Sequence, residues 1–188
     1  MQKPLLIMFV GTPGSGKTTF ARLLAKRLDA VTLNSDAIRI SMWGDLESVK
    51  SAHLDPNDRL QGNKLTFGAL DYAAGQILMA GYSVVYDANA NKSFERRKMA
   101  AIATKNNALS VVIRLRTSPV LAMQRIIDRP QSHDQRRHDE EKAHQLVESF
   151  ARAIEEPSDT EHVIEISGEQ PFEEQYKAFQ KGIVSWIA

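Results

Sequence analysis

A glycine-rich segment near the start of the chain has the residue types that bind phosphate groups. Gly11–Thr18 contains three glycines and ends in a lysine and a threonine, and it follows the apolar run Leu5–Val10. Glycine lets backbone N–H groups approach phosphate oxygens, and the positive end of a following helix adds to the attraction. A lysine in this position reaches the β- and γ-phosphates, and the threonine hydroxyl binds Mg²⁺. We therefore predict an ATP site formed by Gly11, Thr12, Pro13, Gly14, Ser15, Gly16, Lys17, Thr18 and Thr19, with Thr18 as the metal ligand.

An acidic residue at the end of a short strand is the second candidate. Asp36 follows Val31–Asn34 and precedes Arg39 by three residues. Asp36 could accept the proton of an acceptor hydroxyl, and Arg39 could hold a substrate phosphate or orient Asp36. An aspartate in this place is equally typical of a helix N-cap. The spacing alone leaves both interpretations open.

The third candidate, Asp87, follows the apolar run Tyr82–Tyr86. At a strand end its carboxylate could act on Mg²⁺ through water, or orient an arginine on the substrate side. Asn89 is predicted as a substrate contact, although Asn89 and Asn91 also suit a tight turn.

Two basic stretches complete the set. The first contains Lys92, Arg96, Arg97 and Lys98; we interpret it as a solvated helix face, with contact to a phosphate-rich acceptor as the alternative. In the second, Arg125 and Arg129 share one face if their helix continues that far. They could then close over the phosphates and neutralise charge, or they could be solvated arginines at a helix C-terminus. His133, His138 and His144 lack the spacing of metal ligands.

These candidates require alternating strands and helices. Strands are predicted at 5–10, 31–34, 82–86, 110–115 and 162–166, and helices at 19–28, 58–80, 93–105, 140–154 and 171–187, with another beginning at 119. Ser93 is predicted to cap its helix. Five strands separated by helices indicate an α/β fold with a parallel sheet covered on both faces. Ligands bind at the carboxyl ends of such strands, so the glycine loop, Asp36 and Asp87 should form one site.

The composition is that of a globular protein. The 188 residues are 43% apolar with a net charge of +1, which gives no overall sign of nucleic-acid binding. The absence of cysteine excludes disulfides and thiol catalysis. The first apolar run is too short for a signal-peptide core or a membrane span, so a cytoplasmic location without membrane partners is expected.

In their order, these pieces resemble the kinase domain of phage-type polynucleotide 5′-hydroxyl kinases, within the P-loop kinases that include zeta toxins and chloramphenicol phosphotransferase. The matching stretches are Gly11–Thr18, Asn34–Asp36 with Arg39, Asp87 with Asn89, Asn91, Arg96 and Arg97, and the Arg125–Arg129 pair. The resemblance implies a P-loop NTPase fold with sheet order 2-3-1-4-5 and an adenylate-kinase-like lid. Residues 1–188 would form one kinase domain, with the lid at about 125–140.

The resemblance also implies roles for single residues. Lys17 and Thr18 would serve ATP and Mg²⁺, and Asp36 would be the general base. Arg39 would contact an acceptor-side phosphate, while Asp87 would position Arg39 or the substrate. Arg129, with Arg125, would be the lid arginine. The 188 residues leave no room for the phosphatase-type domain of the two-activity kinases, so a single activity is expected. Trp43 could stack on a base or sugar, with packing in the core as the alternative.

We therefore predict an ATP-dependent kinase whose acceptor hydroxyl is first of all the 5′ end of a polynucleotide. One alternative acceptor is a small molecule: a nucleoside, sugar, nucleotide-sugar or antibiotic. Another alternative is an ATPase without a phosphoryl acceptor, and a third is a nucleotide-sensing module without turnover. The balanced net charge weakens the nucleic-acid acceptor, whereas Arg39 and the basic stretch support it.

Overall fold

A five-stranded parallel sheet lies at the centre of the computed structural model, which describes residues 3–45, 47–49, 55–130 and 138–187. The strands are β1 (Leu5–Val10), β2 (Val31–Asn34), β3 (Val84–Asn89), β4 (Leu109–Arg116) and β5 (Val163–Ser167). All four neighbouring pairs are parallel, and the order across the sheet is β2-β3-β1-β4-β5. The predicted fold class and strand order are confirmed.

Seven helices are described in these parts of the chain. They are α1 (Lys17–Leu28), α2 (Ser35–Trp43), α3 (Pro56–Met79), α4 (Ser93–Lys105), α5 (Pro119–Ile127), α6 (Glu140–Ala153) and α7 (Phe172–Ile187). Within the described ranges, none of the helices combines the length and the apolar character needed to cross a bilayer.

The alternation of side chains along β1 divides the core between the two faces of the sheet. Leu6 and Met8 pack with α3 and α4 on one face, while Ile7 and Phe9 pack with α1 and α7 on the other. All four side chains are at most 1% exposed. Both faces are therefore covered, as the uninterrupted apolar runs predict. A smaller apolar cluster joins α5 to α6.

Most boundaries lie within two residues of the sequence predictions, and three differences bear on the candidate residues. Strand β3 continues two residues beyond Asp87, because Asn89 still pairs with Phe9 of β1. Helix α4 is capped by Lys92 and not by Ser93; the Lys92 N–H donates to the Glu95 carboxylate at 3.0 Å. Helix α5 ends at Ile127 with Asp128 as its C-cap, so Arg125 and Arg129 do not share a helix face. Pro130 disfavours helical geometry at the residue before it.

Candidate active site

The glycine loop lies between β1 and α1 and is packed tightly from two sides. Gly14 has φ 78°, and a Cβ atom there would lie 2.2 Å from the Ala122 carbonyl oxygen of α5. On the other side, a Cβ atom on Gly168, in the turn after β5, would lie 2.3 Å from the Ser15 carbonyl oxygen. Only glycine fits either place. The loop is thus shaped by its neighbours as well as by its own sequence.

Lys17 is the first residue of α1, and its side chain turns back so that the ammonium group contacts the loop backbone. Its Nζ donates to the carbonyl oxygens of Gly11 at 2.9 Å and Thr12 at 2.7 Å. Burial lowers the Lys17 pKa from 10.5 to about 8, against the opposing attraction of Asp87, and Arg114 and Arg129 lower it further by repulsion. Lys17 is therefore within electrostatic reach of Asp87 and of the arginine that follows α5.

Asp87 is a buried carboxylate beside the threonine of the loop. It is 7% exposed and accepts hydrogen bonds from Thr18 Oγ1 at 3.3 Å and Asn34 Nδ2 at 2.6 Å. Burial raises the pKa of Asp87 above its usual range, partly offset by these two bonds and by Lys17. A hydroxyl and a carboxylate oxygen are donors that Mg²⁺ prefers, usually together with substrate phosphates. The Thr18–Asp87 pair fits that ion; among the described residues no cluster of three or more His, Cys, Asp or Glu offers a larger cage.

Asp36 lies on the first turn of α2 with its carboxylate 57% exposed. The N-cap of α2 is Asn34, whose Oδ1 accepts from the Ala37 N–H at 2.7 Å. The N-cap interpretation of Asp36 is therefore wrong. Asp36 also helps to raise the pKa of Asp87, so the two carboxylates lie within electrostatic range of each other. An accessible carboxylate thus remains within electrostatic range of the buried Asp87.

Arg39 holds that carboxylate in place. Its Nη1 donates to Asp36 Oδ1 at 3.0 Å, and its Nη2 donates to Asn63 Oδ1 of α3 at 3.1 Å. The guanidinium also lies 5.5 Å from the centre of the Phe67 ring. Of the two roles predicted for Arg39, orienting Asp36 matches these contacts.

The two arginines of the predicted lid lie near the loop. Arg125 Nη1 donates to the Gly168 carbonyl at 2.9 Å and lies 3.6 Å from where a Cβ atom on Gly16 would be. Arg129 follows the end of α5 and acts on the charge of Lys17. The rest of the predicted lid, including His133, lies largely in residues 131–137, outside the described residues.

The basic stretch after β3 is not a solvated face throughout. Arg96 is 2% exposed; its Nε donates to Glu161 at 2.6 Å and its Nη1 to the Ala90 carbonyl at 3.0 Å. Lys92 pairs with Glu155 at 3.2 Å, and Lys98 pairs with Asp71. The interpretation as a solvated face is therefore wrong for Arg96, and carboxylates neutralise much of the stretch. The sequence of this stretch shows its basic residues but not the carboxylates that pair with them.

Replacing Arg96 with alanine is expected to destabilise the protein by about 2–3 kcal/mol, because the Ala90 carbonyl would lose a donor and Glu161 would lose its arginine, keeping only the bonds from Ser158. Arg97→Ala is the matched control, since the neighbouring Arg97 is exposed and, among the described residues, its side chain bonds to Ser93 of its own helix. Urea unfolding measures both; the control should change the free energy of unfolding by less than about 0.5 kcal/mol. Equal effects of the two variants would contradict the structural role of Arg96.

Two buried polar residues of the site were not assigned from the sequence. Asn91 is 5% exposed; its Oδ1 accepts from the Gly11 N–H at 3.0 Å and its Nδ2 donates to the Gly11 carbonyl at 3.3 Å. Arg114 is 7% exposed on β4 and binds Glu156 through Nε at 3.0 Å and Nη2 at 2.7 Å. A lone charge within the apolar run Ser110–Leu115 was the available signal for Arg114. Asn89, in contrast, is exposed at the end of β3, and its substrate role stays a prediction.

The lowered pKa of Lys17 predicts a pH dependence of stability. The unfolded chain binds a proton at Lys17 up to its ordinary pKa of 10.5, while the folded protein releases it near pH 8. The penalty for the charged lysine is thus fully present below pH 8 and disappears as the pH rises towards 10.5. Relative to Lys17→Met, the wild type should gain about 1–2 kcal/mol over this window, since Lys17 keeps some contact with solvent. Chemical unfolding of both proteins at pH 7.5 and 10 checks this; a constant difference would contradict it.

Comparisons with known proteins agree with this geometry. Residues 6–154 match the family model AAA_33, described as an AAA domain. A gluconokinase from Sinorhizobium meliloti 1021 superposes over 100% of this chain and 95% of its own, with TM-score 0.67 and 18% identity. Chaetomium thermophilum Kti12, in complex with ADP-AlF3, superposes over 98% of this chain and 100% of its own, with TM-score 0.67 and 20% identity. At these identities the likeness shows a shared fold.

One curated relative matches part of the chain. A tRNA dimethylallyltransferase from Azorhizobium caulinodans is 33% identical over 72 residues, which are 38% of this chain. The match spans only 22% of that protein's length.

Proposed function

The chain belongs to the AAA-domain family AAA_33, and from this premise and the site geometry we propose that it is an ATP-dependent kinase that phosphorylates an acceptor hydroxyl. The observation that carries the proposal is the Asp36–Arg39 pair after β2, at the same edge of the sheet as the phosphate loop. An exposed carboxylate held at 3.0 Å by an arginine, itself braced by Asn63, is a fixed proton acceptor open to a substrate. A nucleotide-binding module without turnover has no need of such a group.

The nucleotide half of the reaction follows from the loop. Lys17 leaves the Gly11 and Thr12 carbonyls and donates to the β- and γ-phosphates of ATP. Thr18 and Asp87 would hold Mg²⁺, which when bound neutralises phosphate charge. Arg125, close to Gly16, and Arg129, within electrostatic range of Lys17, stabilise charge on the transferring group.

The acceptor half depends on Asp36. The acceptor hydroxyl transfers its proton to the Asp36 carboxylate as its oxygen bonds to the γ-phosphorus. The bond from that phosphorus to the β–γ bridging oxygen breaks, and ADP leaves with the bond's electrons. Arg39 keeps the Asp36 carboxylate aimed at the acceptor, so the reacting atoms meet in a productive geometry.

A small molecule is the acceptor that the described surface favours. The basic stretch that supported a polynucleotide acceptor is largely paired with carboxylates: Arg96 with Glu161, Lys92 with Glu155 and Lys98 with Asp71. Such pairing removes the unneutralised charge that phosphate backbones need. The gluconokinase among the structural neighbours acts on a small molecule by its name.

A polynucleotide 5′-hydroxyl is the second candidate. Arg39 supports it, because a guanidinium has five N–H donors and, among the described residues, its bonds to Asp36 and Asn63 use two of them. An N–H that remains could contact a phosphate next to the acceptor hydroxyl. The curated relative is named for a reaction on tRNA.

Transfer of label from γ-labelled ATP tests the proposal. The acceptor panel contains 5′-hydroxyl DNA and RNA, nucleosides, sugar acids, amino sugars and nucleotide-sugars, with Asp36→Asn as the control protein. Label on a small molecule that disappears in the variant supports the first candidate, and label on the oligonucleotides supports the second. Label released only as phosphate, at the same rate in both proteins, would overturn the kinase assignment in favour of an ATPase.

A further inference from the structure

The Asn91 side chain binds both polar groups of one residue of the phosphate loop. Its amide accepts from the Gly11 N–H at 3.0 Å and donates to the Gly11 carbonyl at 3.3 Å, across 80 residues of sequence. Those two bonds fix which side of the amide is oxygen, because one Gly11 group is a donor and the other an acceptor. Gly11 is therefore held by a side chain from outside the loop.

The position of Asn91 is set independently of the nucleotide. The Ala90 N–H donates to the Phe9 carbonyl at 3.0 Å, and the Glu155 N–H donates to the Asn91 carbonyl at 2.8 Å. Arg96 adds a bond to the Ala90 carbonyl at 3.0 Å. With its backbone fixed on both sides and its side chain buried, Asn91 keeps its place whether or not the loop binds phosphate.

Lys17 shares the carbonyl that Asn91 binds. Lys17 Nζ donates to Gly11 at 2.9 Å and to Thr12 at 2.7 Å, which uses two of its three N–H donors; turning the whole ammonium group towards phosphate oxygens gives up these two bonds. Each carbonyl retains a second donor: Asn91 Nδ2 for Gly11, and the Ser15 N–H at 3.2 Å for Thr12. Both carbonyl oxygens therefore stay hydrogen-bonded when Lys17 moves away. A buried carbonyl left without a donor would cost free energy.

We propose that Asn91 is a positioning residue for nucleotide binding, which keeps the Gly11 carbonyl bonded when Lys17 moves to the phosphates of ATP. The inference rests on the nucleotide-binding half of the proposed function and is independent of the acceptor. Its consequence is specific to one state. Without Asn91 the Gly11 carbonyl keeps Lys17 as a donor in the nucleotide-free protein but loses its donor in the complex, so ATP binding should weaken about 10-fold or more.

A four-protein cycle tests this dependence on Lys17. The wild type, Asn91→Ala, Lys17→Met and the double variant are titrated with ATP and Mg²⁺, and affinity is obtained from the concentration dependence of the melting temperature. We expect Asn91→Ala to weaken ATP binding about 10-fold or more in the wild-type background and less than about 2-fold in the Lys17→Met background. In the latter, the Gly11 carbonyl has no lysine donor to lose.

The outcomes separate the inference from the proposed function. Equal weakening in both backgrounds would mean that Asn91 merely shapes the loop, and it would overturn the inference, as would unchanged affinity in Asn91→Ala. If the wild type itself gains no stability from ATP, the proposed function is overturned along with it. If Asn91→Ala does not fold, Asn91→Ser takes its place, and the same comparison between backgrounds decides.

Discussion

Replacing Lys17 with alanine is expected to weaken ATP binding strongly, while leaving it measurable at high ATP concentration, and to lower phosphoryl transfer with it. The ammonium group is the cation directed at the loop backbone, 2.7–2.9 Å from two loop carbonyls. Without it, the charge of the β- and γ-phosphates loses its closest neutralising group, and transfer should fall by roughly three or more powers of ten. Titration with ATP and label transfer, carried out on the same preparation, measure both effects.

The variant should remain folded, which makes the loss interpretable. Burial lowers the pKa of Lys17, so the charged side chain is held in the folded protein at a cost, and its removal relieves that cost. Lys26→Ala is the matched control, because Lys26 is an exposed lysine on the same helix α1. A folded Lys17→Ala protein that transfers phosphate as fast as this control would contradict the whole assignment of the site.

The sequence predicted the elements of the fold because their patterns are local. The strand β1 is an unbroken apolar run, and the glycine loop that follows it permits few structures other than a strand, a loop and a helix. The strand order came from the family resemblance, and the sheet confirms it. Once β2, β3 and β1 are neighbours, Asp36, Asp87 and the loop necessarily come together at one edge.

Local sequence patterns could not predict side-chain contacts between residues that are far apart in the chain. Arg96 is buried because Glu161, 65 residues later in the chain, returns to it, and no local pattern distinguishes it from exposed Arg97. Asn91 fits a turn by its residue type, yet its amide binds a glycine 80 residues earlier. The N-cap of α2 was predicted as one alternative for Asp36 and not for Asn34, whose amide oxygen caps α2 while its nitrogen donates to Asp87.

Replacing Asp36 with asparagine is expected to lower phosphoryl transfer by roughly two or more powers of ten while leaving ATP affinity within about 2-fold. The amide is nearly the same size and its oxygen can still accept from Arg39 Nη1, now 3.0 Å away, but it cannot take a proton from the acceptor. ATP affinity should persist because the described contacts of Asp36 are with Arg39, not with the glycine loop. Initial rates at saturating acceptor and ATP, with an ATP titration, provide the measurement.

Asp29→Asn serves as the control for this experiment. Asp29 is an exposed aspartate at the end of α1 with φ 51°, a conformation that asparagine also tolerates. If Asp36→Asn transfers phosphate as fast as this control, Asp36 is an ordinary residue of the first turn of α2, and the general base must be sought elsewhere. If transfer falls while ATP affinity holds, the loss lies in the chemical step, since an effect on the loop would have weakened ATP binding as well. That separation matters because Asp87, the other carboxylate at this edge, is buried and bonded to Thr18 and Asn34, which leaves Asp36 as the more accessible of the two to an acceptor hydroxyl.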